Sequence, residues 1–291
     1  MKSLKLGILL MAVVGMTACV GDLNTSPIDK NSATAFNQDA VFSKCYATLA
    51  LTGQKGPDGD CDIDDLDEGT SSFYRMMWEL NEFCSDEGWW IWNDVGLADI
   101  RVMNWNGDNA LVKGLYYRLN IDIKLCNHFL EHASTDEIGN IQRAEVRFIR
   151  ALNYWYLLDM FGSCPFNITE AEMAAYAKAG ELMGDYDNYP KQITRKNLYE
   201  WIVAELLDIE EKLTVDRNAF YYRVDKVAAQ MLLARLYLNA QVYTADPAQE
   251  YAVSTGTPEW AKAAEYAKKV MNATQLASKY QYLFMGDNDS R

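Results

Sequence analysis

Along most of the chain beyond Lys113, apolar side chains recur at three- and four-residue steps, the spacing that puts them on one face of an α-helix. Tyr116, Leu119, Ile123, Cys126 and Leu130 mark the first such face. A turn from Ala133 to Gly139 leads into the stretch Gln142 to Phe166, where Ala144, Phe148, Ala151, Leu152, Trp155 and Leu158 share a face beside a stripe of Arg143, Arg147 and Arg150. Gly162 supplies a stop, and Pro165 forbids continuation. The two segments predict one antiparallel helical hairpin. After a longer connection, Phe166 to Gln192, with a short helix near Glu170 to Ala179, the pattern resumes. Thr194 stands as an N-cap before Leu198, Ile202, Leu206, Ile209 and Leu213. Val224 to Leu238 answers with Val227, Met231, Ala234 and Leu238, and Trp260, Ala263, Ala264, Ala267 and Val270 begin a further helix. Each pair leaves an apolar face that only a neighbouring pair can cover, so the hairpins are expected to stack.

Upstream, Ala40, Val41, Tyr46, Ala47 and Leu49 predict a helix over Gln38 to Leu51, ended by the stretch Gly53 to Gly59. Residues 53–112 are expected to form an irregular, aromatic-rich insertion. The fold class is therefore all-α. Ala at close-packing positions and an initial Trp resemble tetratricopeptide repeats, although the spacings exceed the usual ~34 residues.

Two parts of the insertion carry candidate chemistry. Asp58, Asp60, Asp62, Asp64, Asp65, Asp67 and Glu68 alternate in a way that suggests calcium. A calcium loop starting at Asp58 would put Ile63 where glycine belongs and Gly69 where a bidentate glutamate belongs, so a solvated acidic loop is the favoured reading and no metal is assigned. The second part is Ser85 to Asp94, with Trp89, Trp90 and Trp92 flanked by amides and acids. A sugar has flat C–H faces and a polar equator. An indole face buries area against the former while Asn or Arg side chains bond the hydroxyls. In an extended segment Trp90 and Trp92 point to one side and Trp89 and Ile91 to the other, so one pair would be a platform and the other an anchor. Asn93, Arg101, Trp105 and Asn106 would complete the wall. The competing reading is that these rings fill gaps between helices.

Composition narrows the partners. The chain has 291 residues, 49% of them hydrophobic and 12% aromatic, enough for a sizeable core. A net charge of −14 excludes nucleic acid, whose phosphates need basic neighbours, and suits a neutral ligand. His128 and His132 are the two histidines, which counts against a histidine-based enzyme or zinc site. At the N-terminus, Lys2 and Lys5 precede a short apolar run, Leu6 to Val14, and then Met16-Thr17-Ala18-Cys19. This reads as a bacterial lipoprotein signal with cleavage before Cys19 and lipid on its thiol, the alternative being an ordinary secretory signal. Five cysteines remain, Cys45, Cys61, Cys84, Cys126 and Cys164, an odd number without a Cys-x-x-Cys, so at least one is free or pairs outside the chain. Cys126 falls on an apolar face as plain core.

Several words of the chain resemble the SusD/RagB family of surface glycan-binding lipoproteins. They are Ala144 to Ala151 (Ala-Glu-Val-Arg-Phe-Ile-Arg-Ala), Tyr154 to Gly162 with Pro165, Lys196 to Leu206, Val227 to Leu238 and Trp260 to Ala267, in the family's order, after a Leu23-Asn24-Thr25-Ser26-Pro27 opening. The resemblance implies a non-enzymatic protein that captures oligosaccharide or polysaccharide for a SusC-like TonB-dependent transporter. It places the protein at the outer membrane, lipid-anchored at Cys19 and surface-exposed, with no cofactor. It implies glycan binding by an aromatic platform in an N-terminal insertion, a match of kind and place that falls here on Trp89, Trp90, Trp92, Asn93, Arg101 and Trp105. Family members run well beyond the length of this chain, so against the family it reads as lacking the C-terminal half, either a truncated product or a partial sequence. The resulting organisation is a signal peptide at 1–18, an extended lead-in at 19–35 and a helical-repeat domain at 36–291 with its insertion at 53–112. Two other readings stand beside it. One is a repeat scaffold that binds a partner protein without sugar affinity. The other is a secreted glycoside hydrolase, for which Asp86 and Glu87 are adjacent and cannot flank a bond by themselves.

Overall fold

The two longest helices are those of the predicted hairpin. The computed structural model describes residues 35–53, 61–64, 66, 69–89, 91–184, 189–249 and 252–288. The signal, Cys19, most of the lead-in, most of the acidic run and Trp90 lie outside them. All named elements belong to the unit Gln38–Arg291. In chain order they are α1 (Gln38–Ala47), α2 (Phe73–Glu82), α3 (Leu97–Arg101), α4 (Ala110–His132), α5 (Glu137–Phe161), β1 (Cys164–Pro165), α6 (Glu170–Ala175), β2 (Gln192–Ile193), α7 (Arg195–Ile209), α8 (Lys226–Leu238), α9 (Ala240–Tyr243) and α10 (Trp260–Ala273), with short 3₁₀ turns between. No described helix is long and apolar enough to cross a membrane.

The α4–α5 hairpin is the centre. Asn109 caps α4, its Oδ1 accepting from the Leu111 and Val112 amides at 3.1 and 3.3 Å. Asp136 caps α5 by accepting from the Gly139 amide at 2.7 Å. Gly162 ends α5 at φ +78, a conformation that disfavours a side chain, and its amide reaches the Leu157 and Leu158 carbonyls. Along α5, Ala144, Phe148, Ala151, Trp155 and Leu158 are buried as predicted, while Leu152 is only half-buried. Ile149, Tyr154 and Leu157 are buried too, because α5 packs against α4, α7 and α1 together. Cys126 is core, and the five described cysteines are free thiols.

The arginine stripe does structural work. Arg150 is fully buried, bonded to Asn127 at 2.8 Å, to both Glu172 oxygens at 2.7 Å and to Glu205 at 3.2 Å. Arg147 grips Glu205 at 3.0 and 2.7 Å and Asp208 at 2.6 Å. These charge-assisted forks tie α5 to α6 and α7. The connection after α5 is closed by an antiparallel pair, Cys164 with Ile193 and Pro165 with Gln192, and α6 starts at a capping box of Thr169 and Glu172.

Two expectations need correction. The region 53–112 is not wholly irregular, because α2 and α3 lie within it. Ser72 caps α2 by accepting from the Arg75 amide at 3.3 Å, and Phe73, Met76, Leu80 and Phe83 are buried as α2 packs on α4. In α8 the stripe Val227, Met231, Ala234 and Leu238 is mostly the outer face, with Met231 46% and Leu238 60% exposed. Ala229, Leu232, Leu233, Leu236 and Tyr237 face inward against α7 and α10. This helix is apolar nearly all round, so its period could not choose a face. In α7, by contrast, Leu198, Ile202, Leu206 and Ile209, with Leu213 beyond its end, are all buried, under a Thr194 cap. In α10 the predicted face is buried only at Ala263, with Tyr266 beside it, and Trp260 and Ala264 are exposed.

Candidate functional site

The tryptophan segment leaves α2 and is fastened at its far end. Arg75 on α2 donates to Glu79 on its own helix at 2.7 Å and to Asp94 beyond the tryptophans at 2.5 Å. Asn109, while capping α4, donates through Nδ2 to the Gly96 carbonyl at 2.8 Å. Gly96 sits at φ +86, and a Cβ there would come within 2.9 Å of the Asn109 amide, so only glycine fits without strain. Leu97 and Ile100 then bury α3. At the near end Phe83 is core, packed edge-on against Trp78 with ring centroids 5.1 Å apart. The neighbouring Cys84 Sγ donates to the Leu80 carbonyl at 3.2 Å, and burial pushes this thiol up, which marks it as structural.

Between these fastenings the chain shows its rings to water. Trp89 is 73% exposed, Ile91 84% and Trp92 68%, and Asn93 is also exposed. The alternation of platform and anchor expected of an extended segment is absent: Trp89, Ile91 and Trp92 all stand outside, and Leu97 and Ile100 do the anchoring. The Arg101 guanidinium lies over the Trp89 ring, 3.6 Å from its centroid. That contact fixes the plane of the indole and sets five donors at its edge. Trp105, 44% exposed, follows α3 and takes no part in the stack. Trp90 falls outside the described residues.

The structure adds neighbours that sequence reasoning passed over. Val95, Val102 and Met103, on the same stretch of chain, are exposed, and Met103 holds φ +53, an unusual conformation for a residue with a side chain. Tyr74, on the first turn of α2, is also exposed. Scattered single apolar residues in a loop give no periodic signal, so only the structure could show that they are exposed.

A wide cleft lies elsewhere. About 1370 Å³ opens where the α4–α5 turn meets α6 and α7, lined by His132, Glu137, Arg147, Glu170 and Glu205 among others. It has no Trp, Tyr or Phe, and its arginines are already engaged, Arg147 by Glu205 and Asp208 and Arg143 by the Leu130 and Ala133 carbonyls. Size alone therefore does not make it a sugar site. A smaller groove of about 470 Å³ carries Tyr116, Tyr117, Asn120, Asn167 and Lys124, a more sugar-like lining. From the acidic run, Asp62 lies at its edge and is committed to the buried Arg118 at 2.5 and 3.0 Å, so it is an ion-pair partner as well as a surface carboxylate. Of the loop Asp185 to Tyr189, only Tyr189 is described, and it is exposed.

No family model matches the chain. The starch-binding protein SusD of Bacteroides thetaiotaomicron is 40% identical over 279 residues, which cover 94% of this chain and 46% of that protein. The chain thus spans about half the length of the curated relative it matches. Among solved structures, a SusD superfamily protein of B. thetaiotaomicron superposes with a TM-score of 0.58 at 16% identity, over 84% of this chain and 48% of that one. A SusD-like carbohydrate-binding protein of Bacteroides fragilis gives 0.56 at 19%, over 84% and 42%. Surface glycan-binding protein A of Bacteroides uniformis gives 0.56 at 16%, over 87% and 49%. These similarities establish the all-α, SusD-like fold.

Proposed function

This chain is a homologue of SusD, and on that premise we propose that it is a non-enzymatic glycan-binding protein of the cell surface. The observation that carries the proposal is the stack of Arg101 on a Trp89 ring that remains 73% exposed, on a segment that also presents Trp92 and Asn93. Ring faces with amide and guanidinium donors at their edges are what a saccharide can use, and no covalent step is required. Lipid attachment at Cys19 would hold the protein at the outer membrane, and a SusC-like TonB-dependent transporter would receive the captured oligosaccharide.

The test is affinity electrophoresis across a polysaccharide panel, with the soluble form from Val20 onward. At least one neutral glycan should retard the protein, and the effect should survive added salt, because no ion pair is screened. Trp89→Ala and Trp92→Ala should each weaken binding about tenfold or more, the loss of roughly 1.4 kcal/mol. Binding unchanged in both variants would remove the site from this segment. Loss in Tyr117→Ala instead would move it to the 470 Å³ groove.

A second reading draws on the exposed Ile91, Val95, Val102 and Met103, which also suit a protein partner. Capture of a transporter by the chain, with no retardation on any glycan, would select that reading.

A further inference from the structure

The two histidines of the chain stand one helical turn apart at the C-terminal end of α4, on its exposed face. Glu131 lies between them, and one donor atom from each of His128, Glu131 and His132 falls within 4.8 Å of the other two. The imidazole centroids are 4.6 Å apart with the rings inclined at 49°. His132 Nδ1 is 2.9 Å from the His128 carbonyl oxygen. A carbonyl only accepts, so Nδ1 carries the proton in this bond and Nε2 keeps its lone pair. A metal-binding imidazole is commonly oriented in this way by a carbonyl on its other nitrogen.

We propose that His128, Glu131 and His132 form a binding site for a borderline first-row dication, with Zn²⁺ as the preferred ion. Two imidazoles and one carboxylate make a zinc donor set that leaves a position open to water. Calcium and magnesium prefer all-oxygen sites and are not expected here. Histidines at i and i+4 on a helix can chelate one ion without backbone change. Zinc bonds of about 2.0–2.1 Å bring tetrahedral ligands to roughly 3.3 Å apart, a closure that exposed rotamers can supply. The end of α4 adds the negative pole of the helix dipole, which favours a cation. The acidic chain, at −14, concentrates cations near its surface. His132 and Glu131 also line the 1370 Å³ cleft, so the open position lies at its rim and offers an oxygen ligand a way to the metal. The small number of histidines, which counted against such a site in the sequence, is outweighed by their spacing. The inference does not depend on the glycan reading.

The test is isothermal titration of Zn²⁺ into the untagged full chain, since a histidine tag would mask the site, with Ca²⁺ as a control. Wild type should take up one equivalent of Zn²⁺ and melt at a higher temperature when it is bound. His128→Ala and His132→Ala should each weaken uptake at least tenfold, and Glu131→Gln several-fold. All three side chains are exposed, so the variants should keep the wild-type circular dichroism and metal-free melting temperature. Absence of a saturable equivalent would overturn the proposal. So would Zn²⁺ uptake unchanged in the double histidine variant, which would place the ion on thiols, or a preference for Ca²⁺.

Discussion

Asp122 is buried in α4 with neither carboxylate oxygen hydrogen-bonded. Thr48 is beside it, but its hydroxyl donates to the Cys45 carbonyl at 3.0 Å and has no second proton to give. Burial pushes this carboxyl up to about 7, against the pull of the Arg118 charge. The folded value thus lies above the ordinary 3.8. The associated stability is fully present below the unfolded value and is lost as pH rises through the folded one, at up to ~1.4 kcal/mol per pH unit in between. Asp122→Asn should therefore flatten the decline in stability between the ordinary 3.8 and about 7, read by urea unfolding at each pH. Parallel slopes in the two proteins would show that Asp122 is ionised throughout. No sequence pattern reveals such a residue, because an acid on a helix reads as a solvent-facing one. The tryptophans were legible for the opposite reason: rings flanked by Asn and Asp make poor core, and Trp89 and Trp92 are indeed exposed. The contact of Trp89 with Arg101 spans a loop and the length of α3, which residue spacing alone does not encode.

Helices were legible where one face differed from the rest. In α7 the leucines and isoleucines are segregated, and the predicted and buried faces coincide. In α8 almost every position is apolar, and the predicted stripe mixes exposed Met231 and Leu238 with buried Ala234. The helix α2 carried a readable signal, Ser72 before Phe73, Met76, Leu80 and Phe83, overlooked beside the denser tryptophan cluster. What joins the helices was not readable, above all Arg150, which bonds residues on α4, α6 and α7 at once. Arg150→Met should cost about 3–5 kcal/mol, since it leaves carboxylates facing a lost partner. The same variant has a pH signature. Burial alone would raise Glu172, but hydrogen bonds and charge from Arg150, with help from Thr169, hold it at about 2. That value is below the ordinary 4.5, so the associated stability is present above 4.5 and is lost as pH falls toward 2. Wild type should lose stability over that window and Arg150→Met should lose less of it, as followed by thermal unfolding. Equal losses would detach Glu172 from the acid response. Gly96→Ala is the matching test at the tryptophan segment. It should weaken glycan retention while the α4–α5 core stays folded, because the added methyl meets the Asn109 cap that fastens the segment.

Across the whole molecule the packing is uneven, and stability should follow it. The hairpin α4–α5 is covered by α1, α2 and α7 and holds the largest buried side chains, Arg118, Arg150 and Tyr154 among them. At the other end, α10 rests mainly on α8 and buries only Ala263 and Tyr266, leaving Trp260 and Met271 in water. Leu276, Tyr280 and Phe284 follow it, also exposed. An element with one neighbour loses little buried area when it lifts off, so it opens at a smaller free energy than global unfolding. Stacked helical pairs behave in this way because each contacts only its neighbours. Native-state hydrogen exchange should therefore show the amides of 260–273 exchanging through a sub-global opening, well before those of 110–132 and 137–161. The tryptophan segment is fastened to α2 and to the cap of α4, so Asp94 to Ile100 should follow the slow end although their surroundings are loop. Uniform protection from α4 to α10 would mean that the stack unfolds as one cooperative block. The exposed tryptophan rings would then owe their placement to the whole chain and not to the α2–α4 end alone.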